Sequence, residues 1–577
     1  MGAPRAELVE LRVLEGPNLY FPRPAIKVQL RVGPWLAMPE DRFARALDLA
    51  RARGRPGRPN TDERRRAVAR FGATLARRLA AGNEVRLAVR GRVGPERDEI
   101  VVAFPWRRRG TAEAAANELV GLLASFDARR SLDRVIAAAA ERISEADPGE
   151  ESSVPDPRTL VVSVTGTNGK TTTVRLLAHI ARSAGKRVAY SSTDGVYRDD
   201  GELVEEGDYS GFGGAAKALE HNPDVAVLET ARGGILLRGI GVLHNDAAVV
   251  TNVSADHLGL LGIRTLDQLA EVKATITKIT RPEGWVVLNA DDPRVASMRR
   301  GSSGRPWLCS LDPDHPALRE TLAEGGRATV PLDGWMTVLE RSYARALVAL
   351  IDVPVTIAGI SSINVMNAMQ AASAALAIGL PERAVVRGLR SFVLDPERNP
   401  GRANLFQLGG RVVVIDYAHN EAGMRGLTEL CDGLRRAGAE IWLGICAAGD
   451  RTDEILHRVG YRAARGADHV VIAELLRYLR GRDREDVIRG LRVGAVDGGA
   501  EEVDVYADEL SALRAMLHRS RRGDVVAVTA LGMRPEVFAW LAENGGERLT
   551  PPMVRRLVSS VRRSRAAVAS RDTRFEE

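Results

Sequence analysis

The stretch "TLVVSVTGTNGKTTTVRLLAHI", Thr159 to Ile180, constrains the fold more than any other segment of the chain. It opens as a near-continuous apolar run, the pattern of a strand buried on both faces in a parallel sheet. The run ends in Gly166-Thr167-Asn168-Gly169, and a helix is expected from Lys170. A strand that turns through glycines into a helix gathers backbone N–H groups and the helix dipole around one point, which suits a phosphate. In that setting Lys170 acts as a point charge on terminal phosphates, and Thr171 is placed to hold Mg²⁺. The longer phosphate-loop pattern G-x-x-x-x-G-K-[ST] requires glycine at 164, where this chain has Val164. The motif is therefore either coincidence or the shorter loop of a particular kind of enzyme.

From Thr159 onward strands alternate with helices, which predicts a mainly parallel sheet with covering helices. "RVAYSS", "VAVLET", "AAVVTNV" and "WVVLNADD" read as its further strands. A second boundary falls near "DPERNPGR", Asp395 to Arg402, beyond which "VVVIDYAH", "IWLGICAAGD" and "VVAVTAL" predict a smaller α/β unit. Upstream, "LVELRVLEG" and "EIVVAFPW" read as strands and "GTAEAAANELVGLLASF" as a helix. The segment "ARGRPGRPNTDERRR" reads as a polar loop or helix start, and acidic, Pro/Ser-rich Ser144–Arg158 as a linker. The expected class is α/β in three units: an N-terminal α+β domain (1–145), a central P-loop-type parallel-sheet ATPase domain (159–396) and a C-terminal Rossmann-like domain (397–577). A length of 577 residues accommodates this.

Cys309, Cys431 and Cys446 show no C-x-x-C spacing, which argues against a disulfide framework or zinc site and fits a reducing compartment. No apolar run approaches a membrane span or signal peptide, so a cytoplasmic protein is expected. The net charge of +7 comes from scattered arginines, with clusters at Arg107, Arg108 and Arg109 and in the C-terminal tail. No nucleic-acid recognition motif accompanies them, so nucleic acid is not an expected partner; the field steers anionic substrates. Lysine is rare, with Lys27, Lys170, Lys186, Lys217, Lys273 and Lys278 the full set, so a lysine inside a motif carries weight.

Glu229 ends one predicted strand in "LETARGG", and Asp256 and His257 follow another in "TNVSADHLG". Strand C-terminal ends in a parallel sheet share the edge where ligands collect, so Glu229 and His257 are expected to converge on the phosphates with a metal. The bland readings are a strand-end carboxylate for Glu229 and a helix cap at Asp256. Lys273 and "LNADDP" follow.

Together, GTNGKTT, the acidic strand end, N-x-x-x-D-H-L, the downstream lysine and N-A-D-D, with "PGR" at 400–402, "DYAHN" at 416–420 and "GDRTDE" at 449–454, resemble the Mur ligase superfamily over about residues 159–540. This family uses the shorter G-T-N-G-K-T loop. Within it, "SSTDGVY", "LETARGGILLRG", "NVSADHLGL" and "YLRGRDRED" are similar to the cyanophycin synthetase family, as is "LRVLEGPNLYFPRPAIKVQL" near the N-terminus. The ATP-grasp domain that family carries between these parts is replaced here by the short linker.

The resemblance implies an ATP- and Mg²⁺-dependent, ADP-forming ligase that activates a carboxylate as an acyl phosphate and joins it to an amino acid. It implies Gly166, Thr167, Asn168, Gly169, Lys170, Thr171 and Thr172 on the phosphates and Asn289, Asp416 and His419 as further nucleotide contacts. Thr171, Glu229 and His257 are implied at metals, and Lys170, Glu229, His257, Lys273 and Arg402 in catalysis. Lys273 matches a lysine that many Mur ligases carbamylate, with a salt-bridge role as the alternative. Asp450, Arg451, Arg480 and Arg482 are implied near substrate. The implied partners are an amino acid such as arginine, an acidic peptide or polymer acceptor, a separate ATP-grasp protein and further copies of the chain. A folylpolyglutamate-type ligase and a non-catalytic, ATP-regulated polymer-binding protein are the alternatives. Asn364 and Asn367 in "GISSINVMN" stand where the family has G-x-H-N-x-x-N without its histidine, and core or nucleotide-facing roles are equally open.

Overall fold

The computed structural model describes residues 5–199, 201–256 and 258–572. Among them the strands form three sheets. The first is antiparallel, in the order β1 (Glu7–Leu14), β2 (Ala25–Arg31), β4 (Glu99–Pro105), β3 (Arg90–Val93). The helix Asp62–Gly82 packs on it; Thr61 caps its start by accepting from Arg64 N–H, so the polar segment does open a helix. Trp35, Phe43, Phe71 and Phe126 meet edge to face or tilted beneath, at centroid separations of 5.0–6.0 Å.

The second sheet contains β5 (Leu160–Thr165), β6 (Val188–Ser192), β7 (Gly195–Arg198), β8 (Glu202–Glu206), β9 (Val225–Glu229), β10 (Asn245–Val250), β11 (Thr280–Asn289), β12 (Arg305–Cys309), β13 (Arg327–Leu332), β14 (Trp335–Glu340) and β15 (Tyr343–Ala349). Their spatial order is β15-β14-β13-β12-β11-β10-β5-β9-β6-β7-β8. From β6 to β13 every pairing is parallel, while β7–β8 and β14–β15 extend the two edges antiparallel. The chain leaves β5 toward β6 on one side and later reaches β10 on the other. This topological switch opens a crevice at the C-terminal end of β5, where ligands of such sheets bind.

The third sheet, β20-β19-β18-β21-β17-β16-β22, contains β16 (Asn404–Leu408), β17 (Arg411–Asp416), β18 (Ile441–Ile445), β19 (His469–Ala473), β20 (Val503–Tyr506), β21 (Val525–Thr529) and β22 (Glu547–Arg548). Its first five strands in that order are parallel, and β16 and β22 are antiparallel additions. The acidic connector before β5 is tied along its length: Pro148 O accepts from Gly110 N–H, Ser152 Oγ donates to Glu15 O, and Pro155 O accepts from Leu243 N–H. All three cysteines are buried thiols. Among the described residues no helix is long and apolar enough to cross a membrane.

Candidate active site

The phosphate loop is shaped by what presses on it. Gly166 has φ +153°, and a Cβ there would lie 1.8 Å from Thr251 Oγ1. Gly169 has φ +84°, and a Cβ there would lie 2.2 Å from Asn367 Oδ1. Both positions therefore require glycine. The chain leaving β10 clamps the loop: Thr251 Oγ1 and Asn252 Nδ2 donate to Asn168 O at 2.6 and 2.9 Å. Asn168 N–H donates back to Asn252 Oδ1 at 2.9 Å, and Ser254 N–H donates to Thr167 Oγ1 at 3.0 Å. The helix Lys170–Ser183 starts at Gly169 without a side-chain cap, so the N–H groups of its first turn remain available to an anion. Lys170 Nζ lies over the loop, donating to Thr167 O at 3.0 Å.

Glu229 ends β9 and is almost wholly buried. Its Oε2 accepts from Thr171 Oγ1 at 2.9 Å, whereas Oε1 is buried with no hydrogen-bond partner. Burial raises its pKa, with Lys170 and Thr171 opposing. An orphaned carboxylate oxygen beside a threonine hydroxyl is the hard oxygen donor set that a divalent cation such as Mg²⁺ takes. Lys273, at the end of the helix Leu266–Lys273, is also buried and donates to Gly166 O at 2.6 Å. Burial, helped by the nearby Lys170 charge, pushes its pKa well below the usual lysine range. His257 lies outside the described residues.

The third sheet closes the cavity from the other side. Asp416, at the end of β17, accepts from Ala403 N–H at 2.8 Å, and burial raises its pKa. Arg402 and Arg534 both lie over the Tyr417 ring, 4.1 and 5.1 Å from its centroid. Burial lowers the Arg402 pKa. Lys170, Lys273 and Arg402 line the cavity with no carboxylate within ion-pair distance among the described residues. His419 Nε2 and Arg451 lie 3.6 and 3.3 Å from Asp256, which crosses the gap between the two sheets. Asn420 and Asn168 exchange two amide hydrogen bonds of 3.0 Å across the same gap.

The resulting cavity has a volume of about 710 Å³. It collects the loop residues 166–172 with Glu229, Lys273, Arg402, Asp416, His419, Arg451 and Arg480. Asp450 and Arg482 stand behind that lining: Asp450 pairs with Arg451 at 3.0 Å and with Arg480, while Arg482 donates to Arg451 O at 2.6 Å and pairs with Asp453. Asn289, expected on the nucleotide, is outside the cavity; its amide donates to Thr251 O at 2.8 Å and accepts from Asp291 N–H. It therefore braces the loop's clamp. Asn364 and Asn367 do line the cavity, joined by a 3.2 Å hydrogen bond. Sequence reasoning missed Asp194, Tyr417 and Arg534. A signal for Tyr417 was its place inside "DYAHN", and for Asp194 its place inside "SSTDGVY"; Arg534 carries none.

Residues 164–375 match the Mur ligase middle domain, and residues 401–532 match the Mur ligase, glutamate ligase domain. With a phosphate loop at the sheet's switch point and a second α/β sheet closing over it, the chain belongs to the Mur ligase family, whose members are ATP-dependent ligases. Among individual proteins it is similar to the cyanophycin synthetase of Synechocystis sp., 41% identical over 315 residues, which is 54% of this chain and 36% of that protein. The cyanophycin synthetase of Crocosphaera subtropica is 37% identical over 66% of this chain and 43% of its own length. The chain thus spans about two fifths of these relatives. The UDP-N-acetylmuramoyl-L-alanyl-D-glutamate–2,6-diaminopimelate ligase of Chlorobaculum tepidum is 25% identical over 87% of this chain and 94% of its own. E. coli FolC in complex with DHPP and ADP shares the fold, with a TM-score of 0.50 at 21% identity over 68% of this chain and 90% of that one.

Proposed function

We propose that the chain is an ADP-forming, Mg²⁺-dependent acid–amino-acid ligase that carries out one addition of cyanophycin type, joining arginine to an aspartate-containing acceptor. The observation that carries this reading is the convergence of an uncapped helix N-terminus, Lys170, the half-satisfied Glu229 carboxylate and the buried Lys273 on one cavity between two sheets. In the first step an acceptor carboxylate oxygen bonds to the γ-phosphorus of ATP and ADP leaves. In the second the donor amine attacks the acyl carbon, phosphate leaves, and the amine loses a proton. Lys170 and the loop N–H groups stabilise the charge that spreads over the transferring phosphoryl group. Thr171 and Glu229 would hold the cation, which would supply charge neutralisation to the phosphates. Arg402 adds a fixed positive charge from the opposite wall. The Asp256–His419–Arg451 and Asn168–Asn420 contacts keep the two walls together and water out, so that the acyl phosphate meets an amine before it hydrolyses.

An acidic acceptor is supported a second time, in the N-terminal unit. Arg51, Arg53, Arg70, Arg77, Arg90 and Arg92 surround a groove of about 590 Å³. The second amide of a cyanophycin repeat is assigned to a separate ATP-grasp protein. The test is ADP release from ATP in the presence of single amino acids and aspartate-containing peptides, with mass spectrometry of the product. A condensed product with stoichiometric ADP is expected with arginine. ATP turnover indifferent to every acceptor and donor pair would sink the reading.

A further inference from the structure

We propose that Glu509 is a positioning residue of this site, acting through Arg534; the inference rests on the ligase reading above. Glu509 is fully buried in the first turn of the helix Glu509–Arg519. Its Oε1 accepts from Leu531 N–H at 2.6 Å and Gly532 N–H at 2.8 Å, and its Oε2 accepts from Met533 N–H at 2.7 Å. Cys446 Sγ donates to Oε1 at 3.4 Å. Three successive N–H groups converging on one point form an anion cradle, and here the anion is a side chain of the same protein. Charge-assisted bonds of this kind are about twice as strong as neutral ones, so the carboxylate fixes the turn that links β21 to the helix Arg534–Glu543.

That turn is a wall of the cavity. Leu531 lines it, and a Cβ on Gly532 would lie 2.7 Å from Leu475 Cδ1 on the same wall. Arg534 leaves the turn with one guanidinium nitrogen 3.4 Å from Asp194 Oδ1 and another donating to Pro400 O at 3.3 Å. Asp194 is held from its other side by Arg175 at 2.9 Å, and Arg175 lies on the phosphate-loop helix. An unbroken set of contacts therefore runs from Glu509 through the turn, Arg534 and Asp194 to the helix that begins at Lys170. Glutamine at 509 keeps the shape but turns an NH₂ donor toward a backbone N–H, which loosens the turn and the reach of Arg534.

The test uses the full chain with E509Q, R534A and the double variant. ADP formation in E509Q is expected to fall at least tenfold in kcat with the KM for ATP within twofold, at unchanged circular dichroism. In the R534A background E509Q is expected to add no further loss. An equal fold-loss in both backgrounds would overturn the proposal. If E509Q does not fold, E509D, whose shorter side chain draws the carboxylate back from the three N–H groups, takes its place in the cycle, with the same two outcomes. A readout independent of substrate is the electron-paramagnetic-resonance distance between spin labels at K186C and E501C, both on exposed positions, the native cysteines being buried. E509Q and R534A should broaden that distance alike, and the double variant no more. A distribution unchanged in E509Q would refute the proposal even if no substrate pair yields ADP, and the expected broadening would sustain it while the ligase reading failed.

Discussion

Lys273→Met removes one buried amine and keeps the length of the side chain. The amine makes a 2.6 Å hydrogen bond to Gly166 O, has no carboxylate beside it among the described residues, and has its pKa depressed by burial. In the unfolded chain a lysine holds its proton up to about pH 10.4. Between the depressed native value and that point the unfolded state binds the extra proton, so stability rises with pH by about 1.4 kcal/mol per unit. Within that window the wild-type chain therefore gains stability with rising pH that K273M does not. Against this stands the lost hydrogen bond, worth about 1 kcal/mol, which the easier burial of methionine offsets. K273M should accordingly be at least as stable as wild type at pH 8, and its advantage should shrink as the pH rises toward 9.5, by about 1.4 kcal/mol per unit wherever the native amine is neutral. Urea unfolding of both proteins across this range in CO₂-free buffer, which keeps the amine unmodified, measures the difference. Parallel pH curves would show a charged native amine and refute the reasoning. A neutral amine is also the form that adds CO₂, so wild-type ADP formation is expected to rise with bicarbonate while K273M stays inactive at every concentration.

Gly169→Ala forces a Cβ to 2.2 Å from Asn367 Oδ1 at φ +84°, and calorimetry should show nucleotide affinity at least tenfold weaker with the fold intact; unchanged affinity would count against the tight loop. Glu229→Gln removes a carboxylate whose pKa burial raises, so thermal stability at pH 7 should hold or increase, while the Mg²⁺ needed for nucleotide binding rises at least tenfold. His179 has its pKa lowered to about 4 by burial, so the native chain loses stability as pH falls from about 6.5 toward 4, and H179Q should flatten that loss in acid unfolding curves. Arg70→Glu with Arg77→Glu should abolish salt-dependent binding to polyaspartate, with ADP formation on short acceptors unchanged.

The central loop was legible because its backbone geometry is local. Gly166 and Gly169 take positive φ in a strand–turn–helix that puts Lys170 and Thr171 in the first turn, so residue type and spacing carry the message, although the atoms that crowd the glycines, on Thr251 and Asn367, lie far along the chain. Glu229 was legible for the same reason, as the last residue of an apolar strand. Asp194 and Arg534 were not, because they lie 340 residues apart in two turns and acquire meaning only where the sheets meet. Asn289, which the family resemblance implies at the nucleotide, has its amide on Thr251 O, beside the loop's clamp. The hairpin β7–β8 and the strands β14 and β15 also escaped notice, since these antiparallel additions are partly exposed and lack the continuous apolar run that marked β5, β9 and β10.

Asn420 ties two measurements to one amide. Its Oδ1 caps the helix Glu421–Leu434 by accepting from Gly423 N–H at 2.9 Å, and the same side chain pairs with Asn168 in the phosphate loop. The helix therefore cannot slide along its axis, or the loop shift toward a ligand, without the other member registering the displacement. The asparagine works as a gauge, and the tolerance it sets is the length of a hydrogen bond.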